Sequence, residues 1–455
     1  MSEHDDSTLD ARIDEAFGPV IDDIAAGAVE RERDRRLPVA EVAALRDAGL
    51  GALRVPTAFG GWGASLEQQF RLLVRLGEAD SNLPQLLRGH VAFVETQRAR
   101  PESDLRTEWL RRLGAGRTLV GNAQAERGDT TATSTRLDER DGRLLLNGRK
   151  FYSTGTIYAD WIWVGARRGD EPVALAVPAD APGVTRIDDW GGFGQRLTGS
   201  GTTVFDDVEV DPRQVLPWSD NAESRPLSYT QGLYQLVLLS ALSGIARAVV
   251  RDAVGFVRPR TRTFGVPGAS SPRDDQLVQR VVGRLSSIAS TVEAVTLSAV
   301  RGLDAADQAA RRGSDGRRAD GRDSGGRPAD GRRADGRDSG GHDDPYQEAL
   351  VTVFEAQQTV VPLVLEAASS LFEVGGASAV DADRSLDRHW RNARTLSSHN
   401  PAILRERAIG DYRLNGTPLR TGPLTAPAEV EPVAVEPVAV EPVAVEPVAV
   451  RTAGA

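Results

Sequence analysis

Apolar positions along this chain recur with two different periods, and the change of period divides it into three parts. Over residues 11–113 the spacing is three to four, as on one face of a helix. Phe70, Leu72, Leu73 and Leu76 form one such face, and Ser65 with Gln68 stands before it as a capping box. Pro38 and Gly49 bracket another helix, Pro opening it and Gly ending it. Over residues 114–222 apolar and polar residues alternate instead, in R-L-L-L-N-G (143–148), 173–177, 183–187 and 203–210. Asp141-Gly142 and Asn147-Gly148 read as hairpin turns, so this part is expected to be an antiparallel sheet. The helical period returns over residues 223–416, in 233–257, 277–303 and 347–372. Ser240, Ala241, Ser243, Gly244 and Ala246 give the first of these a small-residue face. Long helices of this kind pack as a bundle, and residues 384–409 are expected to form a last helix lying over a site. The fold class is α+β, with a helical N-terminal domain, a β domain and a four-helix bundle.

Three stretches show neither period. Residues 1–10 are acidic and polar, are expected to be disordered, and do not resemble a secretion signal. Residues 310–343 repeat variants of R-A-D-G-R-D-S-G-G, which cannot bury enough apolar surface to offset the entropy of ordering. Within 417–455 the unit V-E-P-V-A recurs, and its prolines forbid a long helix, so an extended tail is expected.

Composition narrows the chemistry. A formal net charge of −10 lacks the basic footprint of a nucleic-acid binder. The absence of cysteine removes disulfides, thiol catalysis and thiolate metal sites. No two histidines have metal-ligand spacing with a carboxylate, so no metal is expected. No apolar run is expected to be long enough to span a bilayer, and a soluble, cytoplasmic protein is expected. Lys150 is the only lysine.

Five local motifs carry a resemblance. V-P-T-A-F-G-G-W-G (55–63), A-Q-A-E-R-G (123–128), K-F-Y-S-T-G (150–155), R-T-F-G (262–265) and F-E-V-G-G (372–376) follow one another along the chain. In kind and order they resemble motifs of the acyl-CoA dehydrogenase superfamily. L-R-G-H (87–90), L-D-R-H-W-R-N-A-R-T (386–395) and S-S-H-N-P (397–401) are similar to the branch of dibenzothiophene and sulfur-acquisition monooxygenases. Acyl-CoA dehydrogenation needs a glutamate base to remove the proton alpha to the thioester. The family places it just after the arginine-rich block or early in the long bundle helix. Here those places hold His399-Asn400-Pro401 and L-Y-Q-L-V-L-L-S (233–240), with no carboxylate.

The resemblance therefore implies a two-component monooxygenase. A separate flavin reductase supplies reduced FMN, a C4a-(hydro)peroxyflavin forms with dioxygen, and one oxygen passes to a soft, uncharged small molecule at a sulfur or nitrogen atom. Ser153 would bond the flavin N5, and His399, neutral or cationic, would stabilise or protonate the peroxide. His90 is the alternative catalytic histidine. Asn122, Ser153, Arg262, Phe264, Gly375 and Gly376 would bind the cofactor, and a homotetramer would complete the site. The rival readings are an FAD-dependent acyl-CoA dehydrogenase and an inactive binding relative.

Overall fold

Burial of an apolar face sets where each helix begins and ends. The computed structural model describes residues 3–127, 133–216, 227–261, 271–319 and 346–419. Six helices come first: α1 (Glu3–Ala26), α2 (Ala28–Asp34), α3 (Val39–Asp47), α4 (Leu66–Ala79), α5 (Asn82–Ala99) and α6 (Asp104–Gly114). α1 starts at Glu3, inside the stretch expected to be disordered, because Leu9 and Ile13 are buried and reward its ordering. The capping box forms as expected: Ser65 accepts the Gln68 N–H, and the Gln68 side chain accepts the Ser65 N–H.

Eight strands follow: β1 (Val120–Ala123), β2 (Arg136–Arg140), β3 (Arg143–Lys150), β4 (Trp161–Arg168), β5 (Glu171–Pro178), β6 (Val184–Ile187), β7 (Thr202–Val210) and β8 (Val215–Leu216). They lie in the order β6-β7-β3-β2-β4-β5-β8, with β1 added against β4. The sheet is mixed rather than wholly antiparallel, because β1 and β2 each run parallel to β4. Asp141-Gly142 turns the β2–β3 hairpin with both residues at positive φ, as a type I′ turn requires. Asn147-Gly148 does not turn. It lies inside β3 at a register shift against β7, and Thr135 fills the space where a Gly148 Cβ would stand, 2.6 Å away. The Asn147 side chain joins β7 by accepting the Asp207 N–H.

The bundle is built on α7 (Leu227–Val257), α8 (Gln276–Ala319) and α9 (Gln347–Ser370). The small-residue face of α7 has a clear use: a Cβ on Gly244 would come within 2.3 Å of the Gly77 backbone, so α4 and α7 cross almost in backbone contact. By length and composition Ser228–Val257 and Gln347–Val374 could each cross a membrane, contrary to the expectation, but their apolar windows are 83% and 56% buried inside the protein. The single last helix expected over 384–409 is two, α10 (Arg388–Ser398) and α11 (Ala402–Asn415), broken at His399, Asn400 and Pro401. Proline at 401 disfavours the helical conformation of the residue before it. α8 continues to Ala319, past the start of the repeat at 310, and the rest of that repeat and the V-E-P-V-A tail lie outside the described residues.

Candidate functional site

One turn of α5 gathers three separate parts of the chain. Gly89 faces β1, where a Cβ would come within 2.7 Å of the Asn122 Cβ, so strand and helix meet closely only because residue 89 is glycine. Leu86 packs its carbonyl under Gly155, whose own Cβ would stand 2.2 Å from that oxygen. Arg88, between them, reaches His399.

The K-F-Y-S-T-G segment leaves β3 in a tight turn, with Tyr152 at φ 55° and Gly155 at φ 79°. The strain at Tyr152, a left-handed non-glycine residue, directs Ser153 inward. The Ser153 N–H donates to the Gly201 carbonyl, and its own carbonyl accepts the Thr156 hydroxyl. Its Oγ is fully buried and has no partner. Asn122 is tied to the same turn through its N–H to the Thr154 carbonyl, and its Oδ1 is likewise buried and unpartnered. Across the β1–β4 pairing, Trp163 stands opposite Asn122 with its indole Nε1 also unpartnered. A buried polar atom without a partner costs about 1–3 kcal/mol, so a cluster of them marks a place for a ligand.

Lys150, at the start of the turn, is fully buried and paired with Glu126 at 2.5 Å. Burial opposes both charges and holds Lys150 below the ordinary ammonium value. Burial also raises Glu126, yet bonds from Lys150, Ser134 and Thr135 outweigh it and bring the carboxyl down to about 2. The glutamate of A-Q-A-E-R-G and the lysine of K-F-Y-S-T-G thus clamp the two motifs together.

His399 ends α10, its N–H bonded to the Leu396 carbonyl. The next residues are clamped to the bundle: Asn400 donates to Gln235, and Gln357 donates to the Asn400 carbonyl at 3.1 Å. Arg405 donates to Gln357 at 2.6 Å and covers the Phe354 ring. The His399 Nδ1 is 3.4 Å from Arg88 Nη1. A guanidinium only donates, so Nδ1 accepts, and the proton of the neutral ring sits on Nε2. The Arg88 charge first, then desolvation and Arg405, push His399 below the ordinary histidine value, although the residue keeps exposed surface. His399 is therefore neutral at pH 7 and can donate through Nε2.

α10 itself is locked by a dense polar network, in which Glu32 Oε2 and Gln195 Oε1 are the buried atoms left without a partner. Asp252 of α7 accepts from both Arg388 and His389. Arg391 pairs with Glu32 and Asp387, and Asn392 accepts the Gln195 N–H while donating to Ser81. Burial first, then Arg388, pushes His389 down to about 4, so it too is neutral.

The remaining expected residues divide. Both ring nitrogens of His90 are engaged by the backbone: Nε2 bonds the Gly51 carbonyl and Nδ1 accepts the Val120 N–H. Burial pushes it down to about 4. Gly375 has a packing reason, since a Cβ there would strike the Phe256 ring at 2.2 Å, and Gly376 takes φ 52°. Arg262 and Phe264 lie outside the described residues. Sequence reasoning assigned no role to Arg88, Tyr234, Gln235, Gln357 and Arg405. Arg88 did leave a signal: it stands in an apolar stretch of α5 with no acidic residue three or four positions away.

Comparison with known proteins places this geometry. Residues 123–208 match the family model of the acyl-CoA dehydrogenase middle domain, and residues 338–402 that of the C-terminal domain. A probable FMNH2-dependent monooxygenase of Pseudomonas putida is 28% identical, over 86% of this chain and 92% of its own length. The L-evernosamine nitrososynthase of a Micromonospora species is 32% identical over 62% of this chain and 68% of its own length. The crystal structure of a dibenzothiophene monooxygenase from Paenibacillus sp. A11-2 superposes with a TM-score of 0.72 at 23% identity, covering 90% of this chain and 98% of that one. The chain belongs to the acyl-CoA dehydrogenase superfamily and, within it, to the branch of flavin-dependent monooxygenases.

Proposed function

We propose that this protein is the oxygenase component of a two-component monooxygenase, using reduced FMN and dioxygen to place one oxygen atom on a sulfur or nitrogen atom of a small organic substrate. The observation that carries the reading is the chemistry at residue 399: a histidine stands beside Arg88 and Arg405, and among the described residues no carboxylate is bonded to it to act as a base. A dehydrogenase would need that base. The Pseudomonas putida relative is described as FMNH2-dependent, which agrees with FMN as the cofactor here.

The residues present fit a flavin. Ser153 Oγ and Asn122 Oδ1 are buried, unpartnered and tied to one turn, so they would hold the polar edge of its ring. Reduced FMN, when bound, supplies the electrons that activate dioxygen. The chain's own contribution is to position the substrate, exclude water and hold a proton on His399 Nε2 for a developing oxyanion. A separate flavin reductase, a homotetramer whose neighbouring subunits complete the cofactor site near Gly375 and Gly376, and a cytoplasmic setting belong to the same reading.

The deciding experiment supplies reduced FMN from an unrelated reductase and counts oxygenated product and hydrogen peroxide per FMN consumed, across sulfur- and nitrogen-containing candidates. Formation of product without any acyl-CoA supports the reading. Co-purified FAD that an acyl-CoA reduces without a reductase would overturn it.

A further inference from the structure

Four arginines are buried among the described residues, and three of them meet a carboxylate. Arg31 pairs with Glu41 and Asp80, Arg54 with Glu95, and Arg388 with Asp252. Arg88 is 8% exposed and meets none. Its one described hydrogen bond goes from Nη1 to His399, its Nε is buried without a partner, and its guanidinium carbon lies 5.0 Å from the centre of the Tyr234 ring. Neither a neutral imidazole nor a ring face cancels the charge.

The neighbours do not cancel it either. Arg405, the other cation near His399, is bonded to Gln235 and Gln357, both neutral. Among the described residues, no carboxylate is bonded to Arg88, His399 or Arg405. In a chain of formal net charge −10, such a patch is not the general surface character. A buried cation lacking its counter-ion carries an uncompensated desolvation cost. The arrangement makes sense where a ligand brings the negative charge.

We propose that Arg88, with His399 beside it, forms the binding subsite for an oxyanion group on the substrate, a carboxylate, sulfinate or sulfonate, so that the molecule oxygenated is a small organic anion. This departs from the uncharged substrate that sequence reasoning expects. Guanidinium is suited to the task because its planar donors match the paired oxygens of such groups. His399 itself keeps exposed surface, which gives the ligand a way in. That the anion is then oxygenated rests on the monooxygenase reading; that it binds does not. The reduced flavin ring can also carry negative charge, and it is the second source of the same chemistry.

The test measures binding rather than turnover. The full chain is titrated anaerobically, with and without reduced FMN, using acetate and methanesulfonate against the neutral shapes acetamide and dimethyl sulfone. Calorimetry and melting temperature are the readouts. Wild type should bind the anions at least tenfold more tightly than their neutral counterparts. Arg88→Met should weaken anion binding by about ten- to a hundredfold, the loss expected of a charge-assisted bond. It should keep its affinity for reduced FMN and, without ligand, melt no lower than wild type. Arg88→Lys should recover part of the anion affinity.

Equal binding of anions and neutral shapes by wild type overturns the proposal and needs no variant. So does an Arg88→Met protein that melts lower while its anion preference persists, which marks a structural arginine. Loss of reduced-FMN affinity with the anion preference intact assigns the charge to the flavin instead. Anion binding without any oxygenated product would leave the subsite standing and sink the monooxygenase reading.

Discussion

Two stretches of the same short sequence treat their polar groups in opposite ways. In α10, Arg388, His389, Arg391 and Asn392 are matched to Asp252, Glu32, Gln195 and Ser81, and this network joins α2, α7 and the loop before β7. Ten residues further along, at His399, the surroundings hold an unmatched Arg88, and the α5 turn that carries it also packs against the unmatched Asn122 and against Gly155, in the turn that holds the unmatched Ser153. Both regions are rich in hydrogen-bonding groups. Pairing of each charge with an opposite one makes the first a joint, whose removal harms the fold; a cation without a carboxylate makes the second a receptor, whose removal harms binding and chemistry.

The sharpest way to break this comparison is at Asp252. Asp252→Ala leaves Arg388 buried and unpaired, and should cost about 3–5 kcal/mol of stability, the usual consequence of breaking a buried pair. A melting temperature close to wild type would show that α10 is held by something else.

Acid should act next most strongly, and on the joints. His90 and His389 have folded values near 4, below the ordinary 6.5. A depressed histidine contributes its full stability above about pH 6.5, loses it as pH falls toward 4, and changes little below that. Each contributes on the order of 3 kcal/mol across this window. Melting temperature should therefore fall steadily from pH 6.5 to pH 4, and a flat profile over that range would count against both assignments.

The two expected catalytic histidines can then be told apart. His399→Ala should melt like wild type and keep reduced-FMN affinity, yet form about tenfold less product per FMN while releasing hydrogen peroxide. His90→Ala should show the reverse, a lower melting temperature with unchanged coupling in the protein that remains folded. Wild-type coupling in His399→Ala would remove it from the chemistry.

The smallest effect should be at Ser153. Its Oγ bonds nothing in the fold, so Ser153→Ala should not lower the melting temperature, and should reduce coupling only by a few-fold, the worth of one neutral hydrogen bond. A clear loss of stability would mean the hydroxyl has an unrecognised partner in the protein.

What sequence could reveal follows the distance over which each feature is determined. The capping box at Ser65, the hairpin at Asp141-Gly142 and the apolar faces of α7 and α9 depend on residues within a few positions, and all were legible. Asn147-Gly148 carried the same local signal as a turn and became a bulge, because its neighbour across the sheet, β7, decides the matter. β1 has only four residues, too few to show alternation, so its parallel place beside β4 was hidden. Ser153, Asn122 and His399 were reachable through motif resemblance. The Arg88–His399 contact joins positions 311 apart, and no local pattern reports such a pair. The break at Pro401 was written in the sequence, since the residue before a proline leaves the helix, but the surrounding helical period masked it.

The burial of Lys150 has a practical side. It is the only lysine, its side chain has no exposed surface, and it is bound to Glu126. Reagents that acylate amines therefore find no side chain to modify on the native chain. The same residue becomes reactive once β3 separates from the Glu126 segment, so the rate of acylation at this one position reports the opening of the region that holds Ser153. Protection of Lys150 by reduced FMN would follow the tightening of that region without any catalytic turnover.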